Sequence, residues 1–166
     1  MKFILIDRAV EVEPGKRLVA VKNLTLAEEY LQDHFPSYPV LPGVLMIEAM
    51  IQAAAWLQRV TSGFAQSMVV LDEVRNAKYG AFFRPGTTMQ VEVSLLKQAD
   101  GLWQFKGSGS AEGETNVQGR LTLRAFNLAD EKPEMADVDR RIVEAMRARW
   151  ALIRPRTAAA AEAPNV

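Results

Sequence analysis

The sequence has no cysteine and a single histidine among 166 residues. Disulfide frameworks and thiolate metal sites are thereby excluded. The composition fits a reducing compartment, and a cytoplasmic protein is expected. Neither charge is in excess, since twenty basic side chains balance twenty acidic ones. A nucleic-acid binder would carry a marked basic surplus, so no such partner is expected. No secretory leader is expected either: the apolar run Phe3-Ile4-Leu5-Ile6 stops at Asp7, and no small-residue cleavage site follows. Finally, there is no clean transmembrane run. The stretch from Val40 to Leu57 approaches spanning length, but it holds Glu48 and Gln52 at its centre and a Pro42-Gly43 step near its start. A charge at mid-bilayer costs roughly 2.5 kcal/mol or more, so a helix buried inside a soluble protein is the expectation. A buried carboxylate needs a partner or a job, and Glu48 therefore stands out.

What is present suits one domain with a sizeable core, as 49 % of the residues are hydrophobic. Glu13-Pro14-Gly15-Lys16 is a turn signal, and Arg17 to Lys22 follows as a strand. Asn23 and Thr25 precede a capped helical turn. Residues 34–43 hold Pro36, Pro39 and Pro42, which rules out regular structure and predicts a stiffened loop. A helix over 43–60 follows, apolar on nearly every face and so wrapped by other structure. Beyond Thr61-Ser62-Gly63 the pattern alternates. Met89, Val91, Val93 and Leu95 point one way, whereas Gln90, Glu92 and Ser94 point the other. Asp100-Gly101 signals a hairpin into a strand over 102–111, and Glu112-Gly113-Glu114 leads to a strand over 117–126. One buried helix and a run of antiparallel strands make an α+β plan, with a sheet curled around a helix. A last helix is predicted over 135–153, with Val138, Ile142, Met146, Trp150 and Ile153 as its apolar stripe and Arg140, Arg141, Arg147 and Arg149 off it. Residues 157–166 read as a loose alanine-rich tail.

The one histidine and the carboxylate in the apolar helix pose a chemical question. His34 and Glu48 flank a proline-stiffened loop and a helix start. Elimination of water from a 3-hydroxyacyl thioester needs such parts. Neutral imidazole can remove a weakly acidic α-proton. Free backbone N–H groups at a helix start, here Gly43 and Val44, can stabilise the enolate-like oxygen. A carboxylic acid kept protonated by burial can protonate the departing hydroxyl. Glycine at 43 lets a carbonyl approach the backbone. The plainer readings are a surface histidine and a buried carboxylate satisfied by Gln52, one helical turn further on.

The run from His34 to Gln52, His-Phe-Pro-x-x-Pro-x-x-Pro-Gly-x-Leu-x-x-Glu-Ala-x-x-Gln, resembles the signature of the FabZ-type 3-hydroxyacyl-acyl-carrier-protein dehydratases at every fixed position. Further likeness runs through Ile6-Asp7-Arg8, Lys22-Asn23-Leu24-Thr25, Leu71-Asp72, Ala77-Lys78-Tyr79, Arg84-Pro85-Gly86 and Phe105-Lys106-Gly107. The resemblance implies a hot-dog fold over residues 1–128, followed by a C-terminal extension over 129–166. It implies conversion of (3R)-3-hydroxyacyl thioesters to trans-2-enoyl thioesters, with an acyl carrier protein as partner and the acyl chain tethered to phosphopantetheine. It implies no metal and no organic cofactor. It also implies a homodimer, or a trimer of dimers, whose sites take His34 from one subunit and Glu48 from the other. Glu48 rather than aspartate matches FabZ-type enzymes and disfavours isomerisation. Phe83, Lys78 and Arg84 are candidate tunnel or docking residues, and Gln52 a supporting one.

Three features depart from that pattern. Asp33 stands where glycine is usual before the histidine, and is expected to be a loop residue tolerating an unusual backbone angle. Gly80-Ala81 replaces a basic pair, and Thr87 replaces an aspartate. The helix at 135–153 lies beyond the family core; it is expected to pack on the sheet or extend the dimer, with carrier docking by its arginines as the alternative. Phe82, Phe83 and Trp56 could line the tunnel, although aromatic side chains of this kind are more often plain core. Two other functions stay open: a hot-dog acyl thioesterase, since the fold also supports hydrolysis, and a non-catalytic acyl-binding subunit.

Overall fold

The computed structural model describes residues 3–156. Six strands form one sheet: β1 (Arg8–Glu13), β2 (Arg17–Asn23), β3 (Met68–Tyr79), β4 (Thr88–Ala99), β5 (Leu102–Ala111) and β6 (Glu114–Phe126). Their order across the sheet is β1-β2-β4-β5-β6-β3, with every neighbouring pair antiparallel. Among the described residues there are two α-helices, α1 (Gly43–Thr61) and α2 (Ala136–Ile153). The expected loose tail at 157–166 lies outside the described residues.

Alternation sets the buried face. Met89, Val91 and Val93 of β4 and Leu121 and Leu123 of β6 are at most 1 % exposed. Their register partners point the same way, and α1 lies across that face against β2, β4, β5 and β6. Met50, Ala53, Ala54 and Leu57 seat α1 on the sheet. Truncating Leu57 there would cost about 2–5 kcal/mol. The helix is not wrapped on every side, however. Val44 is 68 % exposed, and Leu45, Ile47, Glu48 and Ile51 are only partly buried. The continuous apolar run therefore has a face that the described residues leave uncovered.

The strand signals before residue 80 were the weaker ones. β1 and β3 bear charges at irregular spacing, and bulges near Ala9, Leu71 and Arg75 shift their register, so two-residue periodicity fails there. The predicted turn after Asn23 is a single 3-10 turn, Glu29–Leu31.

The C-terminal helix packs on the core rather than standing apart. Val143, Met146, Trp150 and Ile153 reach the main cluster, and Trp150 lies 5.6 Å from Trp56 between ring centroids. The inward stripe is rotated from the predicted one. Asp139, not Val138, is the buried residue of the first turns, 7 % exposed. Its carboxylate accepts the Ser67 hydroxyl and the N–H groups of Leu128 (3.0 Å) and Ala129 (2.9 Å). Burial alone would raise its pKa, but these three donors outweigh it and leave the carboxyl below the usual range.

Candidate active site

Pro42 begins α1 with an extended ψ of 135° and offers no side-chain cap. The carbonyl of Pro42 takes the N–H groups of Leu45 and Met46. The N–H groups of Gly43 and Val44 have no acceptor among the described residues, as expected of a first helical turn. They are donors at the positive end of a 19-residue helix. The ring of Tyr79, at the end of β3, lies against Gly43: a β-carbon there would sit 2.9 Å from Tyr79 Cε1. A side chain at 43 would therefore have to push the Tyr79 ring aside.

Glu48 stands five residues further along α1, at the mouth of a groove of about 250 Å³. Gln52, one turn on, donates from Nε2 to Glu48 Oε1 at 3.0 Å. The same amide donates to the carbonyl of Phe3 and accepts the N–H of Leu5, each at 3.0 Å. Gln52 therefore stitches the N-terminal segment to the carboxylate. Glu48 is only partly buried, contrary to the deep burial expected of it. The physical reason is the uncovered face of α1, which leaves the groove open to solvent.

His34 is half-buried in the loop before α1, its ring edge-on to Phe35 at 4.5 Å. Phe35 holds a φ of 53°, and its carbonyl closes a turn onto the N–H of Tyr38 at 2.7 Å. A non-glycine residue in this region stores strain, which is common beside reacting groups. The unusual angle is therefore at Phe35. Asp33, where it was expected, is absent from the positive-φ positions and is an exposed residue. Among the described residues no hydrogen bond joins His34 to Glu48 or to Asp33. The single chain brings Glu48 and Gln52 together, and leaves His34 on a separate loop.

The remaining candidates divide. Phe83 is 1 % exposed and is core, its carbonyl accepting the Leu41 N–H. Phe82 is 64 % exposed and meets Tyr38 edge-on, with the Arg84 guanidinium 5.0 Å above the Tyr38 ring. Lys78 is exposed on β3. Trp56 is buried against Trp150 and also lines the Glu48 groove. Gly80 has a structural cause: a β-carbon there would stand 2.1 Å from the Thr115 carbonyl, which leaves no room for a basic side chain. Among the described residues no group of three His, Asp or Glu side chains could hold a metal ion, and no helix is long and apolar enough to cross a membrane.

One contributor escaped the sequence reading. Lys22 is 4 % exposed and pairs with Glu28, just before the 3-10 turn that leads to His34, with Asp7 at 4.0 Å. The signal was present, because Lys22 shares the inward parity of Leu18 and Ala20. Burial, with Glu28 nearby, also pushes the Tyr30 hydroxyl pKa up. The Lys22–Glu28 pair is partly buried and ties β2 to the segment that leads into the His34 loop.

An antiparallel sheet laid over one long helix, with a second helix at the C-terminal end, defines a hot-dog-fold protein. A FabA-like domain model matches residues 1–120, and the chain belongs to that family. It is 39 % identical over 130 residues to the 3-hydroxyacyl-[acyl-carrier-protein] dehydratase FabZ of Janthinobacterium sp. (strain Marseille), covering 75 % of this chain and 83 % of that one. It is 41 % identical over 121 residues to the FabZ of Magnetococcus marinus, covering 72 % and 79 %. In structure it is similar to the dehydratase heterocomplex ApeI:P from Xenorhabdus doucetiae, with a TM-score of 0.64 at 21 % identity over 80 % of this chain and 90 % of that one. It also resembles smu.793 of Streptococcus mutans bound to acetyl CoA, with a TM-score of 0.57 at 9 % identity over 76 % and 93 %. These two likenesses carry the fold. The expected hot-dog architecture is borne out.

Proposed function

We propose that the chain dehydrates 3-hydroxyacyl thioesters carried on acyl carrier protein, within fatty acid or related lipid synthesis. The observation that carries this reading is the complete signature from His34 to Gln52 set on a helix start with two free N–H groups. His34 takes the proton from C2, and that electron pair becomes the C2–C3 double bond. The C3 hydroxyl leaves with the proton of Glu48. The N–H groups of Gly43 and Val44 hold the thioester oxygen as charge gathers on it. Thioester hydrolysis and mere acyl binding are not favoured, since relatives at this identity are dehydratases.

The active unit is a homodimer in this reading, with trimers of dimers as the larger form. Leu71 supports it. Its register partner Leu123 is wholly buried, yet Leu71, on the same face, is 42 % exposed. β3 is a sheet edge twelve residues long. Such an edge calls for a cover, and a second copy supplies one. Burial of Glu48 then comes from the partner. A cytoplasmic setting belongs to the same reading.

The test mixes two inactive variants. His34→Ala and Glu48→Gln should each lose enoyl formation. If each site takes one residue from either subunit, co-refolded mixtures recover about a quarter of wild-type activity, because half the dimers are mixed and each has one intact site. No recovery, from variants that do exchange subunits, would place both residues in one chain. Thiol release without enoyl product would mean a thioesterase.

A further inference from the structure

The groove that begins at Glu48 ends in positive charge. Glu48, Gln52, Ala55 and Arg59 follow one another on α1 at spacings of four, three and four, so they share a face. From Glu48 to Arg59 the helix advances about 16 Å. α2 forms the opposite wall. It runs antiparallel to α1, as Trp150 meets Trp56 while Arg147 donates to the carbonyl of Gly63. This orientation sets Met146 and Arg149 into the groove. α2 lies beyond the 120 residues that match the family, so this wall is a feature of the present chain.

Neither arginine has a counter-ion among the described residues. Arg59 makes one hydrogen bond, to the Ser67 carbonyl at 3.4 Å, and Arg149 makes none, with no ion pair to either among the described residues. The other cations of α2 are occupied. Arg140 pairs with Asp137, Arg141 bonds the Asp137 carbonyl, and Arg147 lies over Phe64. Burial holds the Arg59 guanidinium pKa below its usual value, which marks a cation that has lost water without gaining an anion. Two guanidiniums facing one apolar groove are complementary to a carboxylate, which they can take in bidentate fashion.

We infer that this groove receives the acyl chain of the thioester, and that Arg149 and Arg59 select chains whose far end carries a carboxylate. The inference rests on the proposed dehydratase reading for the thioester end. It assigns the carboxylate end on separate grounds. The apolar middle, Ile51, Trp56 and Met146, holds the methylene chain.

Binding of saturated acyl-pantetheines, which lack the reacting hydroxyl, tests this without catalysis. Two ligands of equal length, one ending in methyl and one in carboxylate, are titrated calorimetrically into the full chain. Wild type should bind the carboxylate form at least about tenfold more tightly, as expected of a charge-assisted contact. Arg149→Met keeps the stem and its packing, and should bring that ratio close to one. Arg141→Met, outside the groove, should keep the wild-type ratio. A methyl-ended ligand bound equally or better by wild type overturns the inference, as does an unchanged ratio in Arg149→Met. Enoyl formation from the matching 3-hydroxy compounds reports the underlying reading separately. Its failure with the binding preference intact would sink the dehydratase and leave the carboxylate pocket standing.

Discussion

Gln52 offers the sharpest test of how the site is built. Its side chain makes three contacts of 3.0 Å: two donated, to Glu48 and to the Phe3 carbonyl, and one accepted, from the Leu5 N–H. Leu5 is 1 % exposed, so in Gln52→Leu its N–H is stranded, which costs about 1–3 kcal/mol. The donated bonds add about 0.5–1.5 kcal/mol each, with the exposed one to Phe3 at the low end. A total stability loss of about 2–4 kcal/mol is expected, read as the shift in urea midpoint at unchanged slope. Gln52→Glu separates structure from chemistry. It still accepts from Leu5, but near neutrality it faces Glu48 with a second carboxylate, and one of the pair must rise in pKa. Lowering the pH protonates it and restores a donor to Glu48. Positioning of the acid should appear in kcat, down about tenfold or more in Gln52→Leu with KM within about twofold, since general-acid assistance is worth 10²–10⁴. In Gln52→Glu, kcat should recover on the acid side. Wild-type kcat in both variants from pH 5 to 9, with unfolding unchanged, would refute the reasoning.

Other outcomes follow from single contacts. Asp139 ties α2 to Ser67 and to the turn at Leu128, and its carboxyl is held below the usual range by those donors. Its contribution is therefore present above the unfolded pKa, about 4, and is lost as pH falls through the lower folded value. Fluorescence of the Trp56–Trp150 pair should report α2 release in acid, and Asp139→Asn should make that signal pH-independent. Gly80→Ala sets a β-carbon 2.1 Å from the Thr115 carbonyl and should cost about 1–3 kcal/mol in chemical denaturation. Leu71→Glu should leave the chain folded by circular dichroism but split the oligomer in light scattering, and activity should fall with it. A fully active monomer would overturn the shared site.

The C-terminal half of the fold was legible because its strands are simple. Met89, Val91 and Val93 alternate without interruption and are all buried. β3 was not legible, because two register shifts and an exposed edge erase its period. The rotation of the α2 stripe was invisible for a different reason. Binary patterning counts Val138 as inside and Asp139 as outside, yet three donors waiting at Ser67, Leu128 and Ala129 make the carboxylate the better fit. Likewise Lys22 was passed over although its parity was inward, since only the fold brings Glu28 to it.

The candidate site was legible as a list and not as an assembly. His34, Gly43 and Glu48 stand in one linear motif, but the chain puts the histidine on a strained loop and the carboxylate at an open groove. A general acid needs desolvation to stay protonated near neutrality. One chain does not provide it, because the same α1 face that carries Glu48 also leaves Val44 exposed and Ile47 and Ile51 half-covered. A continuous apolar run around a carboxylate therefore has two causes in one helix. The side with Met50 and Leu57 is apolar for this chain's own core. The side with Val44 and Ile47 is apolar, in the proposed dimer, for the surface that a second copy covers. In the proposed dimer, association and catalysis are one requirement, and dilution below the dimer constant should lower activity.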